Sequence, residues 1–354
     1  MVILEALPGR ENLSTLRLEM ITKSSFLPAW WAKNPHVQTC FASLCRRPAT
    51  PSYRPERLEL ADGDFLDLVW VGQGVGPIIA VFHGLGGSMH SPYASGILNA
   101  LNKQGYRAVL MHFRGCSGEM NRVTRSYHAG ETADMKLVLA ALRERVGYET
   151  PIYGLGYSLG GNALLKYLGE SGEDCLLDAA IAVSVPMQLA LCAKRLKEGT
   201  SRIYQWHLLR ALKKNLIIKM RKVQMGAVLG LTEDQVALVK DLPTFDDRVT
   251  APLHGFRGAE HYYASCSSRQ FLKSIAKPTL ILHSTDDPFM FPEVVPKEHE
   301  LGESVTLELS STGGHVGFVS GANPWKPVYW LEGRITEYFD TLKGNQAAAK
   351  KRVA

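Results

Sequence analysis

The chain has 354 residues, 45% of them hydrophobic and 21% charged, which is typical of a globular protein with one large domain and an insertion, or of two small domains. Its formal net charge of +6 is too mild to predict nucleic-acid binding, and no run of about 18 uncharged apolar residues predicts a membrane-spanning helix. The six cysteines are scattered without a C-x-x-C pair, which argues against a disulfide framework or a zinc site and favours the reduced thiols of a cytoplasmic protein.

The first 56 residues form an irregular lead-in that we expect to pack over the core. An acid and a proline interrupt the apolar start of the chain, and no basic leader precedes it, which argues against a secretory signal. Residues 26–31 and 34–39 mix aromatic side chains with prolines, which favours turns and short helices. The lead-in could also serve as a partner site, but packing over the core is favoured.

A sheet is predicted to begin at residue 57. Residues 58–60 and 65–70 alternate apolar and polar side chains, as half-buried strands do, and residues 61–64 give a turn between them. Residues 77–82 are a continuous apolar run, which is typical of a strand covered on both faces. A glycine-rich loop, His-Gly-Leu-Gly-Gly-Ser, follows this strand at residues 83–88.

Helix and strand then alternate along the chain. A helix is predicted over residues 91–104 and a buried strand over residues 107–113, which the loop Arg-Gly-Cys-Ser-Gly-Glu follows at 114–119. After a polar and basic tract at 121–128, a helix is predicted from residue 130 to about residue 146. Acidic residues lie in its first turn, where the helix dipole favours them.

The motif Gly-Tyr-Ser-Leu-Gly at residues 156–160 carries the clearest chemical signal. An apolar strand precedes it at residues 151–153 and a leucine-rich helix follows at 163–168, so the chain must turn sharply from strand to helix at Ser158. Such a turn exposes the serine hydroxyl above a helix N-terminus, whose amide groups favour negative charge. The pattern predicts that Ser158 is a nucleophile; the alternative is a glycine-rich loop with an incidental serine.

Two backbone N–H groups are expected to face this serine. One belongs to Leu159, the residue after the predicted nucleophile, and the other to Leu85, in the glycine-rich loop after an early strand. Together they would form an oxyanion hole, which stabilises the charge that develops during acyl transfer. A simple glycine turn is the alternative for the loop at residues 83–88.

The pattern changes after the strand predicted at residues 179–185. Residues 186–274 read almost entirely as helices and loops, which predicts a helical cap insertion over the site. Residues 202–223 are amphipathic, with leucines at helical spacing and basic residues largely opposite. We interpret the basic side as the solvated face of a packed helix; weak peripheral membrane contact is the alternative. A cap with apolar inner faces would suit an acyl chain.

An acid and a histidine follow the last predicted strands. Asp286 and Asp287 come directly after the strand at residues 278–283, and Asp287, which precedes a proline, is the preferred candidate. His315 lies in a glycine-flanked loop after the strand at 305–309. The chain order Ser158, Asp287, His315 is the order in which this kind of catalytic triad occurs when the serine lies on a strand-to-helix turn.

These elements predict an α/β fold with a mostly parallel central sheet and helices on both faces. The core would comprise residues 57–185 and 275–342, interrupted by the cap at 186–274. An aromatic-rich helix is predicted from about residue 325 to residue 342, and residues 343–354 are expected to be a basic, disordered tail.

The chain also resembles the α/β-hydrolase superfamily and, more narrowly, the YheT-like bacterial esterases, a group related to animal α/β-hydrolase-domain lipid hydrolases and to yeast medium-chain ethyl-ester synthases. The motifs that carry the resemblance extend from the lead-in to the last strand, and the Arg-Gly-Cys-Ser-Gly-Glu tract is more specific than the serine motif. They lie at residues 34–39, 83–87, 113–119, 127–132, 156–162, 286–289 and 314–317.

The resemblance implies hydrolysis of short- or medium-chain carboxylic esters by Ser158, Asp287 and His315, with a small-molecule acyl ester as substrate. No cofactor, metal, nucleic acid or obligate protein partner is implied. Three alternatives share the fold: an acyltransferase that uses an alcohol in place of water, a non-catalytic binding protein, and a lipase acting at a membrane surface.

Overall fold

The computed structural model describes the backbone of residues 19–353 and the side chains of residues 19–345. The predictions for residues 1–18, including the absence of a secretory signal, lie outside the described residues. Eleven strands are formed in the described part of the chain: β1 Ile21–Lys23, β2 Arg54–Glu59, β3 Phe65–Val71, β4 Ile78–Phe82, β5 Arg107–Met111, β6 Ile152–Tyr157, β7 Ala179–Val183, β8 Thr279–Ser284, β9 Val305–Ser310, β10 Val319–Ser320 and β11 Val328–Tyr329.

The α-helices of the described residues are α1 Pro35–Cys40, α2 Pro92–Lys103, α3 Ala133–Val146, α4 Leu159–Ser171, α5 Leu189–Arg195, α6 Ser201–Val223, α7 Met225–Leu229, α8 Glu233–Ala237, α9 Leu242–Phe245, α10 Ala251–Leu253, α11 Ala259–Cys266 and α12 Trp330–Val353. Short 3₁₀- or π-helical turns lie at Phe41–Cys45, Gly172–Asp174, Asp246–Thr250, Ser268–Ser274, Pro292–Val294 and Glu298–Glu300.

The first nine strands form one sheet in the order β1-β9-β8-β7-β6-β4-β5-β3-β2, and β10 and β11 form a separate antiparallel pair. In this sheet order, every neighbouring pair from β1 across to β5 is parallel. The strand β3 pairs antiparallel with both β2 and β5. The predicted mostly parallel sheet is therefore confirmed.

Apolar side chains cover both faces of the sheet. Along β4 the side chains alternate: Ile78, Ala80 and Phe82 pack on the side of α3 and α4, whereas Ile79 and Val81 pack on the side of α2 and α12. This period of two explains why the central strands are apolar throughout, since each successive residue enters a buried layer on one side or the other.

A separate hydrophobic cluster lies in the helical segment between β7 and β8. It contains Leu209 and Leu216 of α6, packed with side chains of the shorter helices that follow, among them Val236 and Val249. This cluster accounts for the leucine spacing along residues 202–223, because the buried leucines lie on one face of α6.

The structure differs from the sequence predictions at both ends of the sheet. Within the lead-in, β1 pairs with β9, and β2 begins at Arg54 instead of residue 57. A three-residue strand is too short to show a hydrophobic period, and its pairing partner lies near the other end of the chain.

The C-terminal prediction is also corrected. The last helix begins at Trp330 and does not end at residue 342; α12 continues to Val353, so residues 343–353 are helical where a disordered tail was expected. Alanine, lysine and glutamine, which are strong helix formers, dominate this stretch and extend a helix already begun.

Candidate active site

Ser158 occupies the predicted turn between strand and helix. It lies between the end of β6 and the first residue of α4, with φ 50° and ψ −118°, a conformation that residues with a side chain rarely adopt. The turn is held on both sides: the Ser158 N–H donates to the Val183 carbonyl at 2.9 Å, and its own carbonyl accepts the Asn162 N–H at 2.9 Å.

Glycines are required where the turn meets the neighbouring strand. A Cβ atom at Gly160 would lie 2.4 Å from the His83 carbonyl oxygen, and one at Gly156 would lie 2.7 Å from the Gly161 Cα. Because both contacts involve backbone atoms, a larger residue could fit only if β4 or α4 moved. The glycines therefore let the turn approach the loop that follows β4.

The three residues of the predicted triad lie in hydrogen-bond contact. His315 Nε2 is 3.0 Å from the Ser158 hydroxyl oxygen, and His315 Nδ1 is 2.7 Å from a carboxylate oxygen of Asp287. The Asp287 side chain is only 1% exposed. An ionised carboxylate can only accept, so Nδ1 carries the proton and Nε2 is free to accept the serine hydroxyl proton.

Asp286, the alternative acid, lies in the same turn but bonds elsewhere. Its carboxylate accepts the backbone N–H of Gly314 at 2.9 Å, and burial raises its pKa above the usual range of an aspartate. Asp286 therefore supports the backbone of the histidine loop, whereas Asp287 contacts the imidazole. The Phe289 ring stacks on His315, with ring centroids 4.0 Å apart and planes 6° apart.

Two residues that were not predicted hold the histidine loop in place. The backbone N–H of His315 donates to the Thr39 hydroxyl at 2.9 Å, and that of Val316 donates to the Ser184 hydroxyl at 3.0 Å. Thr39 lies on α1, at the end of the Asn-Pro-His-Val-Gln-Thr tract. That tract was singled out in the sequence, but its proximity to His315 could not be read from a chain position so far away.

Gln38, the neighbour of Thr39, fastens α1 to the same region. Its side-chain amide donates to the carbonyls of Ala32 and Val319 and accepts the Val319 N–H, and the side chain is fully buried. The α1 helix is therefore locked to the segment that follows His315 by side-chain bonds that satisfy buried backbone groups.

The glycine-rich loop after β4 lies directly against Ser158, since a Cβ atom at Gly84 would lie 3.3 Å from the Ser158 Cβ. Two tyrosines fix this loop: the Tyr93 hydroxyl accepts the Gly84 N–H and the Tyr127 hydroxyl accepts the Gly86 N–H, each at 2.8 Å. The N–H group of Leu85, between these two glycines, has no acceptor among the described residues, and neither has that of Leu159.

His83 joins this loop to the one after β5. Its Nδ1 lies 2.7 Å from the Gly84 carbonyl, and its Nε2 accepts the Phe113 N–H at 3.1 Å. Burial lowers its pKa to about 3, so the ring is neutral, with the proton on Nδ1. His83 is therefore a structural link, which the sequence did not reveal.

The Arg-Gly-Cys-Ser-Gly-Glu tract begins with a buried ion-pair network. The Arg114 guanidinium binds both carboxylate oxygens of Asp134 at 2.8 Å and also reaches Asp64 at 2.8 Å and Asp62 at 2.9 Å. The Arg114 side chain is 1% exposed. The network joins the start of this tract to α3 and to the turn between β2 and β3, and breaking it would leave buried charges uncompensated.

A cavity of about 640 Å³ opens at the Ser158 hydroxyl. One wall is formed by core residues, including Tyr127, Leu159 and His315, and the other by the helical segment between β7 and β8. That segment presents mainly apolar side chains to the cavity, among them Leu189, Leu196, Leu208, Leu212, Leu216 and Val249.

Comparison with known proteins identifies the fold. The family model for the alpha/beta hydrolase fold matches residues 77–322. The chain belongs to the α/β-hydrolase family. An Escherichia coli relative, YheT, whose name marks it as a proposed esterase, is 42% identical over 91% of this chain and 95% of its own.

More distant hydrolases also match the chain. Mouse phospholipase ABHD3 is 28% identical over 87% of this chain and 77% of its own length. Among solved structures, the α/β hydrolase GrgF from Penicillium sp. sh18 superposes with a TM-score of 0.51 at 15% identity, covering 82% of this chain and 96% of that chain. The structural likeness supports the fold that the family match indicates.

Two absences hold for residues 19–353. None of the helices described there is long and apolar enough to cross a membrane. The described histidine, cysteine and acidic side chains form no cluster of three that could hold a metal ion.

Proposed function

We propose that the protein is a serine carboxylic-ester hydrolase acting on short- to medium-chain acyl esters. The observation that carries the proposal is the continuous hydrogen-bonded series from Ser158 through His315 to Asp287, with the serine hydroxyl at the wall of a largely apolar cavity. The family membership and the names of the relatives support the same class of reaction.

In the proposed reaction the Ser158 oxygen attacks the ester carbonyl while His315 Nε2 accepts the hydroxyl proton. Asp287 keeps the imidazole in the required tautomer and stabilises its charged form. The proton then passes from His315 to the leaving alcohol, and an acyl-enzyme remains on Ser158. Water, deprotonated by the same histidine, attacks the acyl-enzyme and releases the carboxylic acid.

The N–H groups of Leu85 and Leu159 are proposed to form the oxyanion hole. Their lack of an acceptor among the described residues, and the tyrosine bonds that fix the neighbouring glycines, support this role. Because the donors are held in place before substrate binds, they need no reorganisation in the transition state, and each such donor contributes about 3–4 kcal/mol.

The helical segment at residues 186–274 is proposed to act as a cap. Its contribution of apolar side chains to the cavity supports this interpretation, since an acyl chain bound there would exchange water for leucine and valine contacts.

The proposal is tested by turnover of p-nitrophenyl esters from acetyl to dodecanoyl. We expect the wild type to show one preferred chain length and Ser158→Ala to lose at least about 10³-fold in kcat, because the nucleophile is absent. Ser52→Ala, which changes an exposed serine, is the matched control and should behave as the wild type.

Two outcomes would overturn the proposal. Full activity in Ser158→Ala would show that another group is the nucleophile. Folded wild type that turns over none of these esters would remove the ester-hydrolase assignment.

A further inference from the structure

Lys219 is a buried cation without a counter-ion. Its side chain lies in the wall of the cavity and the residue is only 4% exposed. The Nζ group donates to the Arg125 carbonyl and to the Ser126 hydroxyl, and no carboxylate of the described residues lies within 4.0 Å of it.

The other buried cations of the described residues are paired. Lys166 bonds Glu170, Arg114 bonds Asp134, and Arg143 bonds Asp178 at 2.6 Å. Buried lysines are rare unless an opposite charge compensates the loss of hydration. Lys219 therefore departs from the pattern of the other buried cations in the described part of the chain, and it does so in the wall of the cavity.

Asn215 and His254 are two of the further polar residues in the cavity wall, which also includes Asp246. Asn215 lies one helical turn before Lys219 on α6, so both project from the same face. His254 Nε2 is buried without a hydrogen-bond partner among the described residues. Burial lowers the pKa of His254 to about 4, so the ring is neutral near pH 7 and Nε2 can donate or accept according to its tautomer.

Asn215 and Lys219 lie in the second half of α6, whereas the first half of the helix reaches the surroundings of His315. Tyr204, near the start of α6, contacts Phe289, which stacks on His315. Lys219 lies fifteen residues further along, or about 22 Å along the helix axis. A ligand in contact with both ends of α6 would therefore be elongated.

We propose that Lys219, with Asn215 and His254, forms a subsite for an anionic group, a carboxylate or a phosphate, on a ligand that occupies the cavity. The proposal rests on the proposed ester hydrolase, whose substrate it narrows to acyl esters that also carry a negative charge. The ligand anion would supply the missing counter-ion, and the free Lys219 N–H would donate a charge-assisted hydrogen bond to it.

Direct binding to the Ser158→Ala protein tests the subsite without depending on turnover. Decyl phosphate, decanoate and decanol are titrated by calorimetry below their micelle concentrations. We expect at least one anion to bind at least about tenfold more tightly than decanol. The anion that is favoured identifies the group as a phosphate or a carboxylate.

Substitution locates the effect. Lys219→Met, added to Ser158→Ala, should bring the ratio of anion to decanol affinity close to one. Lys222→Met is the matched control, because Lys222 lies on the same helix and donates to the Met120 carbonyl of the same loop, but is exposed. It should leave the ratio unchanged.

The pH dependence of ligand affinity provides a second test, which needs no variant at Lys219. Burial lowers the pKa of Lys219 to about 8. The charge of Asp64 raises this pKa and that of Arg114 lowers it. Neutral His254 and charged Arg125 also lie nearby. Decanoate keeps the same charge between about pH 6.5 and 9.5, so its affinity should fall as the pH rises through about 8, whereas that of decanol should not. Equal affinity for anions and decanol would overturn the subsite, and so would a ratio that Lys219→Met leaves intact. Neither of these outcomes bears on the ester-hydrolase assignment, which the Ser158 kinetics decide.

Discussion

At the scale of single residues, the site depends on which of two adjacent acids faces the imidazole. Asp287 accepts the His315 Nδ1–H at 2.7 Å, whereas Asp286 accepts a backbone N–H from the loop that carries the histidine. We expect Asp287→Asn to lower kcat/KM about 10⁴-fold, because an amide favours the wrong imidazole tautomer. Asp286→Asn should cost less than about tenfold, since its amide oxygen can still accept the Gly314 N–H.

Steady-state kinetics of both variants on one p-nitrophenyl ester measure this difference. Equal losses in the two variants, or the greater loss in Asp286→Asn, would contradict the assigned roles. Circular dichroism provides the control that both variants keep the wild-type fold.

Residues with a chemical signature could be predicted from the sequence, and residues that support them could not. Ser158, Asp287 and His315 each stand in a recognisable local pattern, and their order along the chain indicated that they meet. Thr39 and His83 act through contacts that only the folded chain creates. A hydroxyl that accepts one backbone N–H has no distinctive spacing, so no local pattern identifies it.

At the scale of elements, α1 connects the start of the chain to the histidine loop. Thr39→Val keeps the shape of the side chain but removes the acceptor of the His315 N–H. We expect kcat to fall about tenfold or more while KM changes little, because the loop loses a positioning bond and the substrate cavity keeps its shape. An unpaired, partly buried N–H should also lower the free energy of unfolding by about 1–3 kcal/mol.

Thr39→Ser is the matched variant for this prediction. It restores the hydroxyl without the methyl group, so it should recover most of kcat. If the valine variant retained wild-type kcat, or if serine failed to rescue it, α1 would have no part in positioning His315.

Strands and helices with a regular spacing of apolar residues were mostly predicted. Strands that form only by pairing with a segment distant in sequence were not. The central strands other than β6 lie close to their predicted ranges, as do α2 and α3, because each buries a continuous face. Both β6 and α4 are longer than the apolar runs that predicted them. The short strand β1 and the pair β10 and β11 exist only through pairing. The extension of α12 differs from the prediction because helix formers continue through a lysine-rich end whose composition is also typical of a solvated tail.

At the scale of the whole molecule, buried neutral histidines make stability depend on acidity. Burial lowers the pKa values of His83 and His128 to about 3 and that of His254 to about 4. In the unfolded chain these rings take up protons near pH 6.5. Between about pH 6.5 and pH 4 the unfolded state therefore binds more protons than the folded state, and the free energy of unfolding falls as the pH falls.

Asp246 acts in the opposite direction, because burial raises its pKa to about 6, so its contribution is lost as the pH rises through that value. Burial also raises the pKa values of Asp286 and Glu131. It lowers those of His112 and His283, so five histidines oppose three acids. Each histidine contributes up to about 1.4 kcal/mol per pH unit. We expect urea unfolding to give a clearly lower free energy at pH 5 than at pH 7. His299→Gln, at an exposed position, should leave this difference unchanged. Equal stability at the two pH values would show that these rings are accessible to protons in the folded state.

The pairing of β1 with β9 also affects when the chain can finish folding during translation. Thr39 and His315 stand 276 residues apart, and the outer strand at the start of the chain must wait for a partner near its end. A ribosome delivers the C-terminal part last. In the proposed mechanism His315 is the base of Ser158, so the nascent chain can complete the proposed triad only after residue 315 has been synthesised. This topology therefore makes the proposed activity depend on the synthesis of β9 and of the histidine loop that follows it.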